Sequence, residues 1–401
     1  MPLMCTKKMP ATAIMPTVSE GRADLPRFED LEEVTLKGSP ALGDLLMQRP
    51  LVEFLYETLG KRVNVAIKSG FMKPLFDNLG VPINFVDFDE AEQDPLTLDI
   101  SQYLSELPHL QKRDNGNYAH LVDWAGYALG REISTKFRDG NEFLDGKLDS
   151  DSFFFDIGPE VSSKYHPTVN LTDDEREFGR KEIEALRHDS NGKRSIVIFP
   201  WASTKNKNWD DKQKCKERIY GNWKDFFDAF GDDYHFVQLK GREDPSIAIV
   251  EKGRFGVREY GLREGLGVTA AANGAIVADT YGLQGAVFSI RERLMGNGNL
   301  GIVTILPSSN PVTVSYAGVT DVTPSHEVCV FHSRGYNGCS EHDYVDRETF
   351  SKKVLKITGD HVKFYKNHCI FDESTYPCVN AITVDTVGEA LKDAVPAVTK
   401  N

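Results

Sequence analysis

Asp44 stands in the run Lys37-Gly38-Ser39-Pro40-Ala41-Leu42-Gly43-Asp44-Leu45-Leu46-Met47-Gln48-Arg49-Pro50, between a strand-like stretch (Val34, Leu36) and a helix-like one (Leu45, Leu46, Leu51, Phe54, Leu55). A carboxylate held on a glycine-bearing turn between strand and helix projects into the crevice at the strand's carboxyl end, where open α/β sheets place their ligands. The chemistry such a group can do is that of a general base, with Leu42 and Gly43 shaping the loop around it.

Three further runs carry polar groups in the same kind of place. Ile196-Val197-Ile198-Phe199 leads into Ser203-Thr204-Lys205-Asn206-Lys207-Asn208-Trp209. Backbone N–H groups, hydroxyls and a lysine at a sheet edge would receive a phosphate, although lysines in loops are most often solvated charges. His235-Phe236-Val237-Gln238-Leu239-Lys240-Gly241-Arg242-Glu243-Asp244 ends a strand in a glycine turn with two carboxylates. A carboxylate there holds the ribose in many nucleotide-binding sheets, and a solvated turn is the equal alternative. Gly274-Ala275-Ile276-Val277-Ala278-Asp279-Thr280-Tyr281-Gly282-Leu283-Gln284-Gly285 ends a third strand. Gly282 and Gly285 let backbone approach a ligand, and the N–H groups opening the next helix suit a diphosphate. Asp279-Thr280 would otherwise simply cap that helix.

These groups need strands and helices in alternation to hold them. Apolar β-branched runs recur at Val34 to Leu36, Val63 to Ile67, Ile83 to Phe88, Ile196 to Phe199, His235 to Leu239, Ala275 to Ala278 and Ile302 to Leu306. Helical stretches separate them, so the fold class is α/β, built from βαβ units around parallel sheets. The polar segment from Ser162 to Glu175 divides the runs into two sets, and Thr172 with Glu175 is a capping box opening a helix to about Arg187. The expected organisation is an N-terminal extension over 1–30, a first domain over 31–170 and a second over 171–401.

The chain has 401 residues, enough for two cores, and a formal charge of −13 from 47 basic and 60 acidic residues. That balance argues against broad adhesion to nucleic acid or anionic lipid. A local groove built from Lys205, Lys207, Lys212, Lys214, Lys216 and Arg218 is the exception the sequence allows, against the simpler reading of a solvated helix face. Met1 to Met15 lacks the apolar core of a signal peptide, and no run reaches the ~18 apolar residues of a membrane span. Six cysteines are too few for a disulfide framework, which fits a reducing cytoplasm.

Taken in order along the chain, these motifs resemble glycosyltransferase family nine, the heptosyltransferase family of the two-domain GT-B fold. Leu42-Gly43-Asp44 with Pro50 matches its Leu-Gly-Asp motif and following proline; Ser203, Thr204 and Lys207-Asn208-Trp209 match its phosphate loop; Asp279-Thr280 begins its Asp-Thr-Gly-Leu-x-His donor motif. Leu262-Arg263-Glu264 is similar to its Leu-Arg-Glu-Leu segment, and Cys378 with Ile382-Thr383 and Val387 to its closing motif. Tyr281 replaces the usual glycine and Gln284 the usual histidine; residues 288 to 345 fit poorly, as a divergent insertion or loop set would.

The resemblance implies two Rossmann-like domains facing across a cleft and an inverting transfer of sugar from a nucleotide-diphosphate donor. Asp44 would be the base; Ser203, Thr204, Lys207, Asp279, Thr280, Tyr281, Gly282, Leu283 and Gln284 would hold the donor, and Glu243 its ribose. No divalent metal is implied for catalysis. The implied acceptor is a glycan such as a lipopolysaccharide core. Alternatives are a hydroxylated nucleobase of phage DNA, a protein side chain, or a different activity altogether, as a nucleotide-sugar epimerase or a silent sugar-nucleotide sensor. A related branch carries a four-cysteine iron site, so Cys339, Cys369 and Cys378, with Cys329 or His332, are candidate ligands of a structural metal, against the alternative of ordinary buried thiols.

Overall fold

The strand-forming runs pair as two separate parallel sheets. The computed structural model describes residues 24–38, 42–101, 121–147, 157–165, 167–189, 191–200, 220–241, 256–278, 280–290, 299–306, 315–324 and 381–395. β1 (Glu33–Lys37), β2 (Arg62–Ile67), β3 (Ile83–Asp87) and the short β4 (Leu98–Asp99) form one sheet, ordered β3-β2-β1-β4. β5 (Arg194–Phe199), β6 (Tyr234–Gly241), β7 (Gly256–Tyr260), β8 (Gly274–Val277), β9 (Ile302–Ile305) and β10 (Val319–Val322) form the other, ordered β10-β9-β8-β5-β6-β7. Neighbours are parallel throughout, with Val34 opposite Val63, Leu36 opposite Leu98, and Ile198 opposite both Gln238 and Ile276.

Parallel neighbours require crossovers, and helices supply most of them. They are α1 (Leu42–Glu53), α2 (Phe88–Gln93), α3 (Leu121–Lys136), α4 (Gly140–Asp145), α5 (Gly158–Lys164), α6 (Asp173–Asp189), α7 (Trp223–Phe230), α8 (Leu262–Ala271), α9 (Thr280–Ser289) and α10 (Val384–Ala394). The strand order turns back at β1 in one sheet and at β5 in the other, which is the Rossmann arrangement and opens a crevice at the carboxyl ends between β1 and β4 and between β5 and β8. The expected α/β class holds. All seven strand runs anticipated from sequence are strands; β4, β7 and β10 are additional. No helix among the described residues is long and apolar enough to cross a membrane.

Alternation along the second sheet divides its side chains between two cores. Val197, Val237, Ala275 and Val277 join Leu36, Val63, Val65 and the apolar face of α1 in one continuous cluster. Ile196, Ile198, Phe236, Ile276 and Val303 face the other way, onto Trp223, Phe226, Phe227, Val387 and Leu391. A strand buried on both faces reads as an unbroken apolar run, which is why these were legible. In α1, Leu45, Leu46, Leu51 and Val52 are buried. Pro50 lies inside that helix and removes one ladder donor, and the next turn, Phe54–Thr58, relaxes to π geometry with Leu59 N–H donating to Phe54 O at 3.1 Å.

Thr172 and Glu175 do cap α6. Glu175 N–H donates to Thr172 Oγ1 at 3.2 Å, and Thr172 N–H donates to Glu175 Oε2 at 2.7 Å. Glycines let α6 and α8 cross in backbone contact. A Cβ at Gly179 would lie 2.1 Å from Gly267 O, and one at Gly267 would lie 2.5 Å from Glu175 O.

Across the first sheet's reversal, Lys37 pairs with Asp99. Lys37 Nζ donates to Asp99 Oδ2 at 2.8 Å, with both residues buried and the ammonium 4.8 Å from the Phe88 ring centroid. Burial alone would raise the Asp99 carboxyl; hydrogen bonds from Lys37 and Ser101 outweigh it and hold the group below its ordinary value. Asp99 N–H donates to Glu132 Oε2 at 2.8 Å, which also meets Lys136 Nζ at 3.0 Å.

Gly267→Ala is expected to lower unfolding free energy by about 1–3 kcal/mol in urea titrations, because backbone must move to admit the methyl. Gly221→Ala, where a Cβ meets nothing within 4 Å, should change it by less than about 0.5 kcal/mol. Lys37→Met should cost about 3–5 kcal/mol by stranding a buried carboxylate, and adding Asp99→Asn should return most of that loss. The depressed Asp99 group contributes stability that is fully present above its ordinary value of 3.8 and is lost as pH falls through its lower native value. The gap between Lys37→Met and the parent should therefore close in acid.

Candidate functional site

The Asp44, Lys207 and Asp279 motifs leave strands at their carboxyl ends beside one of the two reversals, and the Glu243 motif leaves β6, one strand farther out. β1 ends at Lys37 and the chain passes through Gly38 into α1. The helix starts at Leu42, so Leu42, Gly43 and Asp44 form its first turn instead of the turn ahead of it. Asp44 is thus the third residue of α1, near the positive end of the helix dipole, and Gly43 is buried.

One helical turn beyond Asp44, and on the same face, lies Gln48. It is 1 % exposed, and neither its Nε2 nor its Oε1 has a hydrogen-bond partner among the described residues. A Cβ at Gly38 would lie 2.2 Å from Nε2, so the amide rests directly on the backbone that leaves β1. A buried amide without partners costs about 1–3 kcal/mol, so an uncompensated polar group lies where the chain leaves β1. The residue type gave no hint of this in sequence.

At the second reversal, β5 ends at Phe199 and β8 at Val277. Ala278 N–H donates to Phe199 O at 2.9 Å, so the two strands stay joined to the point where both motif loops depart. Ser203, Thr204 and Lys207 follow β5, Glu243 follows β6, and Asp279 follows β8; all five lie outside the described residues. Thr280, Tyr281, Gly282, Leu283 and Gln284 make up the first half of α9. Leu283 is fully buried in the shared core, which leaves its backbone as what it can lend a ligand. The roots of the proposed phosphate loop and donor motif are therefore neighbours.

Helices α1 and α9, one from each sheet's reversal, pack against each other. Leu45 and Leu46 of the first share a core with Leu283, Ala286 and Val287 of the second. Tyr316 closes the contact, with its hydroxyl 3.8 Å from Met47 Sδ and its ring edge-on to Phe288 at 5.7 Å. Val169 N–H donates to Phe288 O at 2.9 Å, fastening the connecting segment to the end of α9.

A second connection between the sheets is polar and was not anticipated from sequence. Arg263, on the first turn of α8, donates through Nη1 to Pro74 O at 2.9 Å and through Nη2 to Asn170 O at 2.7 Å and Glu175 Oε2 at 2.6 Å; Nε also donates to Glu175 Oε1. Burial would raise the Glu175 carboxyl, but its bonds to Arg263 and Thr172 hold it below the usual range. Cys339, Cys369 and Cys378, with Cys329 and His332, lie outside the described residues, among which no cluster of metal-ligating side chains occurs.

No protein-family model and no curated protein matches the sequence. Solved structures do match. The iron-containing dodecameric glycosyltransferase TibC from enterotoxigenic E. coli superposes with a TM-score of 0.53 at 13% identity, over 92% of this chain and 77% of that one. The E. coli ADP-heptose LPS heptosyltransferase II gives 0.44 at 11% identity, over 81% and 99%. A glycosyl transferase family 9 structure from Veillonella parvula gives 0.45 at 12%, over 91% and 97%. At these identities the likeness is one of fold, and the TibC match carries it: the chain has the architecture of a GT-B glycosyltransferase, two Rossmann-like sheets with their reversals brought together.

Proposed function

We propose that this protein is an inverting glycosyltransferase that moves a sugar from a nucleotide-diphosphate donor to an acceptor hydroxyl. The observation that carries the reading is topological. The Asp44 motif leaves β1 beside the reversal of the first sheet; the Lys207 and Asp279 motifs leave β5 and β8 on either side of the reversal of the second. These are the places where doubly wound sheets bind ligands, and the fold shared with the glycosyltransferase TibC supports the reaction class.

In this mechanism an acceptor oxygen attacks the anomeric carbon from the face opposite the diphosphate. Its proton passes to Asp44 as the new C–O bond forms. The bond from the anomeric carbon to the diphosphate oxygen breaks, and that oxygen keeps the electron pair. Ser203, Thr204, Lys207 and the N–H groups opening α9 stabilise the resulting charge, with Asp279 shaping their turn and Glu243 on the ribose. Gln284 can donate a hydrogen bond but not carry a charge, so it would contribute less to the leaving group than a histidine. The glycan acceptor, the cytoplasmic location and the division into domains at about 170 belong to the same proposal. Catalysis needs no metal in it, and the tail cysteines are ordinary thiols.

Asp44→Asn should abolish transfer, a loss of at least about 10²-fold, while binding of the nucleotide sugar survives in calorimetry. Near-normal turnover by that variant would remove Asp44 from the mechanism. Dialysis against a chelator should leave turnover unchanged, and elemental analysis of the purified protein should find less than one metal per chain. One firmly held iron or zinc per chain would instead assign Cys339, Cys369 and Cys378 to a structural site.

A further inference from the structure

The geometry points to Arg263 as a positioning residue: we propose that its guanidinium sets the angle between the two sheets and so aligns the two crevices across which transfer takes place. The catalytic half of this statement rests on the proposed glycosyl transfer; the structural half does not.

Arg263 is 9 % exposed and binds two stretches distant from it in sequence, one at Pro74 and the other running from Asn170 to Glu175. Pro74 belongs to the 3-10 segment Gly70–Phe76, which follows β2 and packs on α1 and α8. Asn170 lies in the segment connecting the sheets. Glu175 opens α6. The bond to Pro74 O spans 189 residues and those to Glu175 span 88.

The partners are themselves fixed. Asn170 Nδ2 donates to Asn78 O at 2.6 Å, and Asn78 Nδ2 returns a bond to Asn170 O at 3.3 Å. Asn78 holds a left-handed φ of 59°, a conformation asparagine tolerates better than most residues. Glu175 is held by the Thr172 capping box, and its helix touches α8 through the Gly179 and Gly267 contact one turn from Arg263. On the second-sheet side, α6 and α8 thus form one rigid pair. Pro74 O and the Asn78–Asn170 exchange are where that pair grips the first sheet's side.

Only a planar fork can make these bonds together. Arginine offers five N–H donors in fixed directions, whereas a lysine ammonium is a point donor that reaches one or two of the same acceptors. Carbonyl acceptors on the first sheet's side make the grip directional. A small rotation about it would move α1 relative to α9, and misplacement of reacting groups by about 1 Å costs on the order of 10²-fold in rate.

The test uses the full-length protein with Arg263→Met and Arg263→Lys. Small-angle X-ray scattering reads the arrangement of the sheets, and steady-state kinetics with a nucleotide-sugar panel reads transfer. Arg263→Met should broaden the pair-distance distribution and lower kcat by at least about tenfold, with donor KM changed by less than about threefold, and Arg263→Lys should recover only part of each. An unchanged scattering curve overturns the proposal, as does a changed curve with parental kcat. Should Arg263→Met fail to fold, Arg263→Lys is judged by the same two readouts against the parent. If the parent turns over no nucleotide sugar, glycosyl transfer fails as the function, and the scattering result still decides whether Arg263 sets the angle.

Discussion

A parallel sheet whose strand order turns back on itself must part at its carboxyl edge, because the crossovers on either side of the reversal leave in opposite directions. Both sheets of this chain do so, one between β1 and β4 and the other between β5 and β8. Everything proposed about chemistry depends on that constraint. It puts a polar crevice at the end of otherwise apolar strands, where backbone N–H and C=O groups run out of sheet partners. The Lys37–Asp99 pair shows what the first reversal demands when no ligand is considered, since two charged residues buried there face each other at 2.8 Å, with Ser101 also donating to the carboxylate.

The second sheet meets the same constraint with both faces covered. Val197 and Val277 look toward the first sheet, Ile198 and Ile276 toward the aromatic side chains of α7 and toward α10. Such strands can be short and still well determined, because a slip of one residue would exchange the two cores. The loops that carry Ser203, Thr204 and Lys207 on one side and Asp279 on the other therefore start from roots whose separation is fixed by sheet pairing. That is the physical content of a motif that recurs in order along a chain.

Strand runs, the two-sheet division, the Thr172 cap and the apolar face of α1 were legible from sequence because each is a local pattern with a fixed period. β4 was not, having two residues; nor were β7, with Arg258 and Glu259 in five, and the edge strand β10, where Thr320 and Asp321 interrupt the apolar pattern. Gly43 reads as a turn residue in sequence, yet α1 already begins at Leu42 and holds Gly43 buried in its first turn. Among the candidate groups, Asp44 stood out by its setting, a charge after an apolar strand, and the buried Lys37 could have been found by the same signal. Arg263 could not. Its partners are two backbone carbonyls and a carboxylate distant in sequence, and no residue type announces a carbonyl's availability.

Two connections between the sheets among the described residues divide the work of holding them by their physics. Burial of Leu45, Leu46, Leu283 and Val287 between α1 and α9 is strong but non-directional, so it fixes how near the helices come and tolerates sliding. Hydrogen bonds from one guanidinium to Pro74 O, Asn170 O and Glu175 weaken steeply with misalignment, so they fix an angle while adding little to the attraction. A reaction in which a base on one side must face a leaving group on the other needs closeness and angle separately. Apolar packing alone would allow the two helices to approach at more than one angle. The Arg263 fork alone would lack the cohesion to keep water from between the sheets. With both, the first turns of α1 and α9 keep a defined relation, carried by buried apolar side chains and by the Arg263 fork.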